Sequence, residues 1–292
     1  MPSLKQITTK ISSVKGTRRI MSAMKLIAAV KLQRSQAMLN EFRPYSDGYK
    51  EIVLGVAGKC DPKHHQLLRK PEEIKKVHFV FFTSDRGLCG SFNTGLIRNF
   101  ENHIDSMSNE KGNITMSFVG RRGKDHCSTS GYELGDYFSG ASEKNYTEIA
   151  KKLSNNAIEM FQKEETDEVV LVYNYFRSAL IQEITFEKLL PLNVEKNEEP
   201  SGTDYLYEPS RERIIGEIIP KFIQIRIERA IQESLTSEHA SRMTAMENAT
   251  NNADDVIKKL TLLFNKTRQA MITTELMDIV NGTEAQKKGG NE

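Results

Sequence analysis

Proline is absent from Ser3 to Arg43 and again from Lys221 to Glu292, and both stretches carry apolar residues every third or fourth position. At about 1.5 Å per residue, uninterrupted helices there would be roughly 60 Å and 105 Å long, far beyond the three or four turns of an ordinary globular helix. The first row is Leu4, Ile7, Ile11, Val14, Met21, Met24 and Ala28, interrupted by Arg18. The second is Ala253, Val256, Leu260, Leu263, Thr267, Ala270, Thr274 and Met277. Each row is a narrow seam rather than the wide stripe of a helix lying on a large core. The simplest way for one chain to bury two such seams is an antiparallel coiled coil of its ends. The alternative is that each helix packs separately, on the intervening domain or on a second copy.

The segment between reads as a small α/β domain with a mixed sheet, so the expected fold class is α/β plus a long coiled coil. Val77–Thr83 is a continuous apolar run of strand length, as in a strand covered on both faces. Helices are expected over 94–103 and 146–163, and a strand over 114–119. Two β-rich runs, 169–176 and 180–186, are joined so shortly that they must pair antiparallel. Residues 124–138 are ambiguous, with a basic turn GRRGK before them. The expected division is 1–58 for the first helix, 72–192 for the α/β domain, 210–284 for the last helix and 285–292 for a disordered tail, with Gly282 as helix stop. Ser3 and Gln6 have capping-box spacing. Pro44 and Pro220 are expected to kink the long helices or bound them.

The 38% apolar content is lean for a spherical fold, and an elongated arrangement explains it. No apolar run is long enough to cross a bilayer, and the first residues lack a secretory pattern. Cys60, Cys89 and Cys127 form no CxxC pair, so no zinc site or redox dithiol is signalled. The net charge of +2 conceals an asymmetry: residues 1–40 contain Lys5, Lys10, Lys15, Arg18, Arg19, Lys25, Lys31 and Arg34 and no acid. A helix so basic points to an acidic partner: nucleic acid, anionic lipid or an acidic protein surface. A solvated face explains the same letters.

No catalytic constellation stands out, and no cofactor or metal is expected. Gly87 and Gly90 lie between a buried strand and a helix start, as in a phosphate-binding turn, but no GxGxxG or GxxxxGK[ST] pattern is present. Tight-turn glycines account for them. His64 and His65 have no second ligand pair at metal-binding spacing, and Asp85 is read as a carboxylate paired with Arg86. Cys89 and Cys127 have no sequence-evident base. Arg268 and Gln269 leave the last helix in different directions and, with Thr273 and Thr274, form a polar collar among seam positions.

Five stretches in order carry a specific resemblance: TRRIMSAMKLIAAVKLQRSQ (17–36), TSDRGLCGSFN (83–93), DYLYEP (204–209), SEHASRMTAMENAT (237–250) and NKTRQAMITTELMDIVNG (265–282). Together they resemble the gamma subunits of rotary F-type ATP synthases over nearly the whole chain. The resemblance implies a non-catalytic rotor shaft coupling ion-driven rotation of a membrane c ring to conformational cycling of nucleotide sites on a ring of three alpha and three beta subunits. It implies beta-subunit contacts at Lys10, Lys15, Arg18, Met21, Lys25, Arg34, Arg268, Gln269, Thr273 and Glu275. Contacts with the epsilon subunit and the c ring are implied at Tyr205, Tyr207 and Glu208. It further implies membrane association only through the complex, at the cytoplasmic face of a bacterial inner membrane. A basic coiled-coil nucleic-acid-binding protein is the rival reading; its affinity would fall steeply with salt, and aromatic residues for stacking are scarce in the basic helix.

Overall fold

The computed structural model describes residues 3–58, 66–69, 71, 73–107, 113–192, 208 and 211–289, with side chains of the last helix described from 213 to 283. Two units are distinguished, one made of Met1–Leu26 with Ala245–Glu292 and the other of Ile27–Thr244. Two long helices, α1 (Leu4–Ala57) and α5 (Arg211–Gly289), contribute to both. Pro44 and Pro220 lie inside them, so neither proline ends its helix. The expected stop at Gly282 is not observed either, since α5 continues to Gly289. Glycine weakens a helix interior by only about 1 kcal/mol relative to alanine, and the surrounding residues carry the turn through. The expected disordered tail therefore starts inside this helix, and its last residues, 290–292, lie outside those described.

The first unit is an antiparallel helix pair. Its amino end begins with the expected capping box: Ser3 N–H donates to Gln6 Oε1 at 3.0 Å and Gln6 N–H to Ser3 Oγ at 3.3 Å. Ile7 is buried and Leu4, Ile11, Val14, Met21 and Met24 are half-buried, following the expected seam. On α5 the seam differs from expectation. Ala253 and Thr267 are buried and Ile257, Leu260 and Phe264 half-buried, whereas Val256 and Leu263 are exposed. Ala270, Thr274 and Met277 are exposed as well.

In the second unit a five-stranded sheet has the order β3-β2-β1-β4-β5. The strands are β1 (Val77–Phe82), β2 (Ile114–Val119), β3 (Glu133–Phe138), β4 (Glu168–Phe176) and β5 (Gln182–Leu190). The first four are mutually parallel and β5 returns antiparallel to β4, as the short connection requires. Crossovers are made by α2 (Phe92–Ser106), α3 (Arg121–Cys127) and α4 (Tyr146–Gln162). The ambiguous stretch 124–138 resolves into the end of α3 and the edge strand β3. Its sequence ELGDYF lacks an apolar signal because an edge strand leaves most of its side chains to solvent.

Both sheet faces are covered. On one, Phe79, Phe81 and Phe118 pack with Leu96 and Phe100 of α2. On the other, Val80, Phe82 and Leu171 pack with Leu153 and Phe161 of α4, Val53 of α1, and Ile219, Ile223 and Ile227 of α5. That second core holds α1, α4 and α5 against the sheet.

Candidate partner-contact surfaces

The basic row on α1 is partly consumed within the chain. Arg18 Nε donates to Asp254 Oδ1 at 2.6 Å and Lys25 Nζ to Glu247 Oε1 at 2.6 Å. The Arg18 hydrogen bond holds the Asp254 carboxyl below its ordinary range, and the same bond raises the guanidinium. Both pairs are about two-fifths exposed, so solvent screens them strongly. Lys10 and Lys15 are exposed and Met21 is half-buried in the seam. In the second unit Arg34 pairs with Glu143 at 2.8 Å.

The two pairs of the first unit share one register, with residue numbers totalling 272 in each. Leu4, where α1 begins, therefore lies opposite Arg268. From Arg268 to Thr283 every residue of α5 is exposed. This explains why the seam expected at Ala270, Thr274 and Met277 is not buried: helix α1 has ended. The collar residues Arg268, Gln269, Thr273 and Thr274 all lie on this stretch, as does Glu275, with Thr273 Oγ1 donating to Gln269 O at 2.9 Å. Among them Met271, Ile272, Leu276, Met277, Ile279 and Val280 present large apolar side chains to solvent. Such a density of exposed apolar residues is characteristic of surfaces that meet another chain.

Sequence reasoning missed further exposed apolar residues in each unit. Ile20 and Leu26 in the first unit, and Ile27 and Val30 in the second, are exposed. Their signal was available: they lie off the seam defined by Met21, Met24 and Ala28, yet are apolar. Of the residues for which the resemblance implies contacts with the epsilon subunit and the c ring, Glu208 is exposed, while Tyr205 and Tyr207 lie outside the described residues.

The β1–α2 turn has a structural task. In open α/β folds ligands bind beyond the carboxyl ends of the strands where strand order reverses, here between β1 and β4. Helix α5 occupies that place. Ser237 Oγ donates to Asn174 O at 2.9 Å, Ser241 Oγ to Cys89 O at 2.6 Å, and Arg242 to the Arg86 and Gly87 carbonyls at 3.3 and 3.4 Å. Asp85 is not paired with Arg86 as expected; its carboxylate accepts Arg121 N–H at 3.0 Å and Gly140 N–H at 2.7 Å, tying three loops together. Burial raises the thiols of Cys89 and Cys127, the latter to about 12, so neither is an activated nucleophile. Cys60, His64 and His65 lie outside the described residues. Among the described residues no group of three His, Cys, Asp or Glu could hold a metal ion, and no helix is long and apolar enough to cross a membrane.

Comparison with known proteins gives one consistent result. A family model described as ATP synthase matches residues 3–286. The ATP synthase gamma chain of Trichlorobacter lovleyi is 41% identical over 289 residues, covering 98% of this chain and 100% of the relative. That of Chlorobaculum parvum is 39% identical over 292 residues, covering 99% and 100%. Among solved structures, the rotor of the Euglena gracilis mitochondrial ATP synthase matches with a TM-score of 0.64 at 18% identity, over 92% of this chain and 98% of that one. The central stalk and c-ring structure from Tetrahymena thermophila matches at 0.59 and 24%, over 79% and 99%. With full-length identity near 40% and the same fold, this chain belongs to the ATP synthase gamma chain family.

Proposed function

We propose that this protein is the central rotor shaft of an F-type ATP synthase, a non-catalytic subunit that couples ion-driven rotation of a c ring to the nucleotide sites of the catalytic head. The observation that carries this reading beyond family membership is the end of α5, where no α1 residue stands opposite and apolar and polar side chains lie exposed together. Three alpha and three beta subunits would surround it. Rotation changes which contacts each catalytic interface meets, and differential contact is what shifts an interface between states.

Contacts with the beta subunits are assigned to Lys10, Lys15, Arg18, Met21, Lys25 and Arg34 on α1 and to Arg268, Gln269, Thr273 and Glu275 on α5. Lys10 and Lys15 are the strongest cationic candidates because no acid among the described residues pairs with them, whereas Arg18, Lys25 and Arg34 would exchange an internal partner for an external one. Tyr205, Tyr207 and Glu208 are assigned to the epsilon subunit and the c ring. The complex would hold the chain at the cytoplasmic face of a bacterial inner membrane, with protons as the driving ion.

Affinity purification from native membranes tests the assignment. Recovery with two larger nucleotide-binding subunits, retained at moderate ionic strength, is the expected result. Recovery of the chain with nucleic acid, or with no nucleotide-binding partner, would overturn it.

A further inference from the structure

Within the 27–244 unit, apolar packing holds α1 and α5 against the sheet, and such packing resists separation better than sliding or rolling, because it has no preferred direction. A polar cluster of a different kind lies among these elements. Glu233 of α5 has no solvent exposure. Its carboxylate accepts Arg43 Nε at 2.8 Å and Arg43 Nη2 at 2.7 Å, a two-pronged pairing from α1, and Phe176 N–H at 3.0 Å from the end of β4. Arg43 Nη2 also donates to Phe176 O at 2.6 Å, so both backbone groups of that residue are engaged. The guanidinium lies over the Tyr175 ring, 4.9 Å from its centre.

One helical turn away the polarity reverses. Arg229 of α5 pairs with Asp47 of α1 and stands 3.7 Å from Glu233. Two further contacts tie α5 to the sheet: Arg226 Nε donates to Glu187 Oε1 at 2.6 Å, whose other oxygen accepts Tyr173 O–H at 2.7 Å, and Ser237 reaches Asn174. Buried ion pairs contribute little net stability compared with apolar residues of the same shape. What they add is direction, since paired guanidinium–carboxylate bonds weaken steeply when angle or distance changes.

We propose that Glu233, clamped by Arg43 and by the backbone of Phe176, is the joint that transmits twist between the sheet and the helix pair of this unit. The proposal rests on the rotor reading, and Arg43 and Glu233 are positioning residues that fix the helices against shear.

The test uses the purified ATP synthase containing this chain, with the head anchored to a surface and a probe on the c ring, and reads the angular spread of the stalled rotor. In Glu233→Gln an amide cannot accept on both sides, so roughly half of the clamp is lost and the angular variance rises about twofold. Arg43→Lys, which keeps charge without the fork, widens it as well. The Arg43→Met, Glu233→Leu pair separates this role from packing: it removes the buried charges and keeps the volume, so thermal stability recovers part of the loss, the Phe176 backbone groups staying unpaired, while the spread stays wide. Unchanged spread in both single variants overturns the joint, as does restoration of the spread by the apolar pair. Failure of the wild-type chain to join a nucleotide-hydrolysing complex is a separate outcome that removes the rotor reading itself.

Discussion

At the residue scale, one glycine and two buried histidines have measurable consequences. Gly120 sits at φ +99° directly after β2, and a Cβ there would lie 2.0 Å from the Thr83 carbonyl oxygen. Gly120→Ala should therefore cost about 3 kcal/mol or more, read as a lowered urea midpoint, because strained backbone and a backbone clash combine. His78 is buried in β1, and burial lowers its pKa to about 4. His239 is lowered to about 4 as well, by burial first and then by the charges of Lys31 and Arg242. Both stay neutral when folded, while the unfolded chain takes up protons from about pH 6.5 downward. Stability is thus complete above pH 6.5 and lost progressively between there and pH 4. His78→Gln should flatten that dependence, and an unchanged slope in acid denaturation curves would exclude His78 as its source. The sequence placed His78 in an apolar run read as a strand covered on both faces, but that β1 is the central strand of five was decided by the structure.

At the element scale, the helix pair of the first unit shows how close alternatives are decided. Ala253, Leu260 and Thr267 recur every seven residues in either seam; the expected row placed Val256 and Leu263 between them, and Ile257 with Phe264 satisfies the same spacing. The structure selects the second set, which with the shared residues steps by fours and threes. Phe264→Ala should cost about 2–3 kcal/mol of local stability, seen as faster amide exchange in the first turns of α1, whereas Leu263→Ala should be near neutral. Asp254→Ala should likewise leave thermal stability almost unchanged, since the pair with Arg18 is exposed and screened. A marked drop would mean that this ion pair, not the apolar seam, sets the register. Edge strand β3 marks the opposite limit of legibility: exposure on its outer side erased the apolar pattern that made β1 and β2 obvious.

At the scale of the whole molecule, the exposed end of α5 is where a shaft would engage its surroundings. Replacing Arg268 and Gln269 together by alanine should leave the folding of the isolated chain unaffected, as both are exposed, yet lower coupled ATP hydrolysis in reconstituted complexes by roughly tenfold, about 1.4 kcal/mol of lost coupling. Wild-type rates in that variant would remove both from the coupling surface. The two long helices, the α/β segment and its antiparallel return were determined by the sequence itself, because proline absence, apolar period and connection length are local properties that need no partner to take effect. Which basic residues pair within the chain, where the seam ends, that α5 fills the crevice at the strand-order reversal, and that Glu233 is enclosed with Arg43 were decided only by tertiary structure. Each depends on residues distant along the chain meeting in space, among them pairs 133 to 236 positions apart, and pairing at that range is set by packing geometry rather than by any pattern along the chain.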